Sequence, residues 1–198
     1  MNASVEFWFD PVCPWTWITS RWLDEVASLR ELDLRWRTFS LYELNHARDI
    51  SDDYREHINH GRIGARVAAA VEAVAPDSLS AFYEEFGNIY HVAEGKDPVA
   101  AAAGALAACG LDPHLLERAE TGEFDVGMRG STEAGLELVG KDVGVPIISF
   151  DGVAFFGPVI SPAPHGQGAL DLWDGCILLA RTPGFFELKR TRDVPPIF

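Results

Sequence analysis

Cysteine is scarce in this 198-residue chain: Cys13, Cys109 and Cys176 make up the whole set, and an odd number cannot all pair with one another. A disulfide scaffold is therefore excluded, a reducing cytoplasmic setting is expected, and any cysteine that matters works as a thiol. Basic charge is also short, since 16 Lys and Arg against 30 Asp and Glu leave a net charge of −14. A field of that sign repels phosphate backbones and anionic headgroups, so neither nucleic acid nor a membrane is an expected partner. The longest apolar run, 99–111, is Ala-rich and too short to cross ~30 Å of hydrocarbon. Met1-Asn2-Ala3-Ser4 carries no basic n-region, so no secretory signal is expected. Catalytic motifs are missing too. His57 and His60 lie three apart with no HExxH or Cys-x-x-Cys beside them, and there is no GxSxG elbow, GxGxxG turn or P-loop. No metal is expected.

The chain has 47% hydrophobic and 23% charged residues, an ordinary globular balance, and its length suits one domain with an insertion. Val5, Phe7 and Phe9 alternate with Glu6, Trp8 and Asp10, the period of a strand, which Pro11 and Pro14 stop. Trp15, Ile18, Trp22, Val26 and Leu29 then follow helical spacing, and Leu32, Leu34 and Trp36 alternate as a second strand. From about 51 to 140 the pattern is helical throughout, broken by Gly, Pro and Asp into 52–75, 78–93, 98–109, 113–120 and 125–139. Strands return at 147–150 and 153–156 around Asp151-Gly152, a type I′ hairpin signal, and Leu170, Trp173, Ile177 and Ala180 mark a last helix. The order β-α-β, helical block, β-β-α predicts an α/β thioredoxin fold with a large all-helical insertion. Residues 1–45 and 141–198 form the thioredoxin-like domain in this reading, and 46–140 the inserted helical subdomain.

Cys13 falls at the junction of the first strand and helix, in Asp10-Pro11-Val12-Cys13-Pro14-Trp15-Thr16. Pro14 suits the first helical turn, which makes Cys13 the cap residue, its sulfur facing unpaired N–H groups and the positive end of the helix dipole. That environment is expected to favour the nucleophilic thiolate. The plainer alternative is a small buried hydrophobe, the reading that suits Cys109 and Cys176 in their apolar helices.

Phe-Asp-Pro-x-Cys-Pro-Trp at the start of a helix resembles the Cys-Pro-Trp-Cys site of DsbA-family oxidoreductases, and is most similar to the actinobacterial mycothiol-dependent nitroreductase branch. The likeness extends through 17–22, 54–56, Gly87-Asn88 with His91, 140–146, 152–158 and 187–192. It implies thiol chemistry supported by a low-molecular-weight thiol. Where that family has a resolving cysteine, this chain has Thr16, three residues from Cys13 on the same helical face. The hydroxyl can hydrogen-bond the sulfur but cannot close a disulfide. A mixed disulfide on Cys13 would then be resolved by an external thiol, mycothiol or glutathione. Arg outnumbers Lys thirteen to three, a bias of GC-rich genomes such as those of actinobacteria, which puts mycothiol ahead of glutathione.

The resemblance also implies a cis-proline at Pro146 facing the cysteine, with the backbone of Val145 exposed to bind a substrate or thiol, where the plainer reading is a trans proline opening a strand. Trp15 reads equally as an aromatic at the mouth that stacks on a ligand, beside Pro14, and as the first core residue of the helical stripe. Asn45 and Tyr54 match uncharged polar positions around the family's pocket, or serve only as turn and helix-surface residues. His91 is a candidate for the same pocket, although a lone histidine commonly just satisfies a buried neighbour. Three functions fit. The first is a monothiol oxidoreductase with Cys13, Thr16 and Pro146 at its centre, acting on a small-molecule substrate. The second is a thiol-dependent isomerase or transferase, similar to kappa-class glutathione transferases and 2-hydroxychromene-2-carboxylate isomerases. The third is a non-catalytic ligand-binding protein. A homodimer is compatible with each.

Overall fold

The computed structural model describes residues 3–93 and 95–198. Its centre is a four-stranded sheet in the order β2-β1-β3-β4, built from β1 (Ala3–Phe9), β2 (Leu32–Thr38), β3 (Ile147–Phe150) and β4 (Val153–Phe156). β1 and β2 run parallel, connected by α1 (Pro14–Leu29), whereas β3 lies antiparallel to both β1 and β4. Asp151 (φ 49°) and Gly152 (φ 89°) both take the left-handed conformation that the β3–β4 turn requires. α8 (Gln167–Ala180) packs back on α1, with Trp22 Nε1 donating to the Ala169 carbonyl over 3.0 Å. This is a thioredoxin fold.

Between β2 and β3 lie α2 (Leu41–Asn45), α3 (Asp52–Val74), α4 (Leu79–Gly87), α5 (Pro98–Ala108), α6 (His114–Glu120) and α7 (Asp125–Val139). Local chemistry sets these boundaries. Ser51 caps α3 by accepting the Tyr54 N–H, with Asp52 and Asp53 in the first turn where the helix dipole favours carboxylates. Asp97 caps α5 ahead of Pro98, and Gly140 (φ 91°) ends α7. The helix expected over 78–93 is instead α4 continued by a π-helical turn, Asn88–Val92. That extra residue per turn carries His91 inward against the loop that precedes α1.

The central strands β1 and β3 are covered on both faces, unlike the one-sided strand that alternation alone predicts, while the edge strands β2 and β4 keep exposed residues. Val5, Phe7, Phe9, Ile148 and Phe150 meet α1, α4 and α8 in the main core, where the Phe9 and Tyr83 rings stack at 3.9 Å. Trp8 and Ile147 point the other way, into a second core with Phe39, Ile58 and Leu136. Trp8 lies 3.1 Å from where a Cβ on Gly135 would stand and donates to the Ser131 carbonyl, so α7 covers that face. α1 is likewise more enclosed than its predicted stripe. Trp17, Ser20 and Leu23 are buried in addition to Ile18, Trp22 and Val26, while Leu29 is 50% exposed. The helical block flanks α1 on a side that a surface helix would leave to water.

Candidate active site

β1 ends at Phe9, and the next residue, Asp10, turns its carboxylate inward. Oδ1 accepts the Val12 N–H at 3.1 Å and Oδ2 the Leu41 N–H at 2.7 Å, while the Asp10 carbonyl accepts the Cys13 N–H at 3.0 Å. One side chain thus shapes the 10–13 loop and ties it to the start of α2. Asp10 is 3% exposed, and burial pushes its carboxyl up to about 6 against the pull of those two N–H donors. The sequence reading missed it. The available signal was an acidic residue set directly after an apolar strand and before a proline.

Cys13 is the N-cap of α1, with Pro14 in the first turn. Its thiol, 6% exposed, points at the Val145 carbonyl oxygen 4.0 Å away, and the Val145–Pro146 peptide is cis. The expectation that this position favours the thiolate needs correction. Burial among Phe39, Leu41, Ile58 and Val145 pushes the thiol up, and the nearby Asp10 carboxylate pushes the same way. The Thr16 hydroxyl and the N–H groups of Trp15 and Thr16 pull it down without overturning that balance. Thr16 itself is fully buried, and its hydroxyl has no conventional hydrogen-bond partner. Beside a sulfur, that is an orphan donor with a thiolate as its natural acceptor.

The uncharged polar pair comes together on the same side. Asn45 ends α2 and Tyr54 lies in the first turn of α3; Asn45 Nδ2 donates to the Leu41 carbonyl at 2.9 Å and to the Tyr54 hydroxyl at 3.4 Å. Asn45 is buried, Tyr54 half-buried, and Cys13 is among the groups that raise the Tyr54 hydroxyl, after desolvation. Trp15 is half-buried and packs against the Cys13 cluster, with the Arg192 guanidinium 4.8 Å from its ring centroid. His91 sits one layer behind. Its Nε2 lies 2.8 Å from the Pro11 carbonyl, its ring stacks on Trp17 at 5.9 Å, and burial lowers its pKa to about 4. A neutral imidazole donating to the Pro11 carbonyl supports the loop under Cys13. Cys109 and Cys176 are free thiols on the helical flanks, raised chiefly by desolvation. Among the described residues no three His, Cys, Asp or Glu side chains gather as a metal site.

A cysteine capping the first helix of a thioredoxin fold, opposite a cis-proline and under a helical insertion, defines the DsbA-like class. Solved structures agree on the fold. The cytosolic disulfide reductase DsbM from Pseudomonas aeruginosa, solved alone and with GSH, matches at TM-score 0.59 and 15% identity over 88% of this chain and 99% of its own. A 2-hydroxychromene-2-carboxylate isomerase matches at 0.60 and 16%, over 88% and 94%. Within that class residues 12–190 match the Rv2466c-like family, described as mycothiol-dependent nitroreductase Rv2466c, and the chain belongs to it. The uncharacterized protein Rv2286c of Mycobacterium tuberculosis is 31% identical over 96% of this chain and 83% of its own.

Proposed function

We propose that the protein is a thiol-dependent oxidoreductase that works through Cys13 alone, on a small-molecule substrate, with a low-molecular-weight thiol as cosubstrate. One observation carries the single-cysteine mechanism: the residue three positions after the capping cysteine is a buried threonine with an unpartnered hydroxyl. The family description makes mycothiol the first thiol to test, with glutathione second. The donor set suits a neutral, hydroxyl-rich thiol, because Asn45, Tyr54 and the Val145 backbone offer hydrogen bonds without charge.

In this reading the Cys13 thiol loses its proton, and the Thr16 hydroxyl turns towards the sulfur as charge develops. Sγ attacks one sulfur of a disulfide, a new S–S bond forms, and the expelled sulfur leaves as a thiolate that takes up a proton. A second thiolate then attacks the outer sulfur of the mixed disulfide. Cys13 leaves as the thiolate, and the outer sulfur departs in a disulfide with the attacking thiol. A further equivalent of that thiol cleaves this disulfide, so two cosubstrate thiols are oxidised to one disulfide as the substrate disulfide takes up two electrons and two protons. Pro14 and Pro146 frame the sulfur, Trp15 lies beside the entering molecule, and His91 holds the loop. The block 46–140 acts as the subdomain that supplies Asn45's neighbour Tyr54 and closes one side of the mouth.

Cys13→Ser is expected to abolish thiol-dependent reduction, whereas Cys109→Ser retains it. Equal activity of wild type and Cys13→Ser would overturn the proposal. A second reading, isomerisation or transfer without net redox change, is favoured by the upward-shifted Cys13 thiol, which holds a sulfur site protonated at rest. Product chemistry separates the two, since oxidised thiol formed one-for-one with product belongs only to the first.

A further inference from the structure

The 185–198 segment holds a basic cluster that the proposed chemistry leaves unused: Lys189, Arg190 and Arg192 fall within four residues of a chain whose net charge is −14. The segment forms neither helix nor strand, yet it is fastened near both of its ends. Phe185 packs edge-on against Phe155 at 5.8 Å. Further along, Ser161 Oγ donates to the Pro195 carbonyl at 2.7 Å and accepts the Ile197 N–H at 3.0 Å, and the Phe198 ring reaches His91 at 5.4 Å. The segment therefore runs from the β4 edge, past the loop of cis peptides at Pro158 and Pro162, to the π-helical turn of the insertion. On that path it crosses the first turn of α1.

Arg192 lies at the crossing, stacked 4.8 Å from the Trp15 ring centroid, two residues from Cys13. A guanidinium on an indole face satisfies its flat side and leaves its N–H edge available. No carboxylate among the described residues lies within salt-bridge distance of it. A planar fork of donors at the rim of a thiol site, on an otherwise acidic molecule, matches a carboxylate or a similar anion.

We propose that Arg192 is a specificity-determining residue: held over Trp15 by the fastened segment, it favours disulfide substrates that carry a carboxylate beside the sulfur that bonds to Cys13. The inference rests on the reading of Cys13 as a reactive thiol and adds the charge of its substrate. The exchange itself is unchanged: Sγ bonds to one substrate sulfur, the S–S bond breaks, and the other sulfur departs as a thiolate.

The test measures the rate of mixed-disulfide formation at Cys13, by intact mass of the full chain, with anionic dithiodipropionate and with neutral hydroxyethyl disulfide. The ratio of the two rate constants is expected to fall about fivefold in Arg192→Gln and to recover in part in Arg192→Lys. A ratio equal in wild type and Arg192→Gln overturns the assignment, including the case where both rates drop together because the segment has only loosened. Failure of either disulfide to modify wild-type Cys13 would instead remove the underlying reading of that cysteine.

Discussion

Opposing groups meet at Cys13. Burial and the Asp10 carboxylate hold the thiol protonated, while the Thr16 hydroxyl and two backbone N–H groups stabilise the thiolate once it forms. Alkylation of Cys13 by iodoacetamide is therefore expected to accelerate about tenfold per pH unit through the neutral range, and Thr16→Val to slow it several-fold at fixed pH. A rate that levels off below pH 8 would contradict this account. Asp10 and His91 make opposite demands on stability. His91 falls from the usual 6.5 to about 4, so its contribution is complete above pH 6.5 and is lost as pH drops towards 4, by ~3 kcal/mol in all. Asp10 rises from 3.8 to about 6, so the folded state holds the extra proton between those values and gains stability as pH falls through 6. Across pH 4 to 6 the two nearly cancel. His91→Gln is expected to unbalance them, giving a variant that is relatively more stable at pH 4.5 than at pH 7 by urea unfolding. An acid-side loss equal to that of wild type would show that His91 carries no such linkage. Neither residue's partner was legible in the sequence, because each lies on another element: Leu41 for Asp10, and the Pro11 loop for His91.

At the level of elements, close approach decides which glycines matter. Gly87 lies directly against the Trp17 ring, so a Cβ there must displace an indole that packs between α1 and Tyr83. Gly87→Ala is expected to destabilise by about 1–3 kcal/mol. Gly127, exposed in α7 with nothing within 4 Å, offers the contrast, and Gly127→Ala should stabilise by about 0.5–1 kcal/mol through helix propensity alone. Equal unfolding midpoints for the two variants would show that the α1–α4 contact is looser than described. The ends of these helices were readable because they are written locally, in Asp97-Pro98, Gly140 and Asp151-Gly152. The π-helical turn at 88–92 was not, since a one-residue widening leaves the hydrophobic spacing nearly helical. Nor was the two-sided burial of β1. Trp8 occupies the position that alternation assigns to solvent, and only the arrival of α7 from far along the chain covers it.

Over the whole molecule, the order of elements was enough to predict a thioredoxin fold interrupted by helices, because β-α-β and β-β-α each have few ways to pack. The site was half legible. Cys13, Pro14 and Thr16 are contiguous, and the family likeness marked Asn45, Tyr54 and Pro146, which the fold gathers from α2, α3 and the start of β3. The Asp10–Leu41 hydrogen bond and the crossing of Trp15 by Arg192 arise from tertiary packing that no local pattern encodes. The central claim concerns one sulfur and an external partner, and the most direct measurement is intact mass after incubation with oxidised mycothiol, comparing wild type with Cys13→Ser. The account predicts a single adduct in wild type, none in the variant, and release by excess thiol. An unmodified wild type, or an adduct that persists in Cys13→Ser, would contradict it.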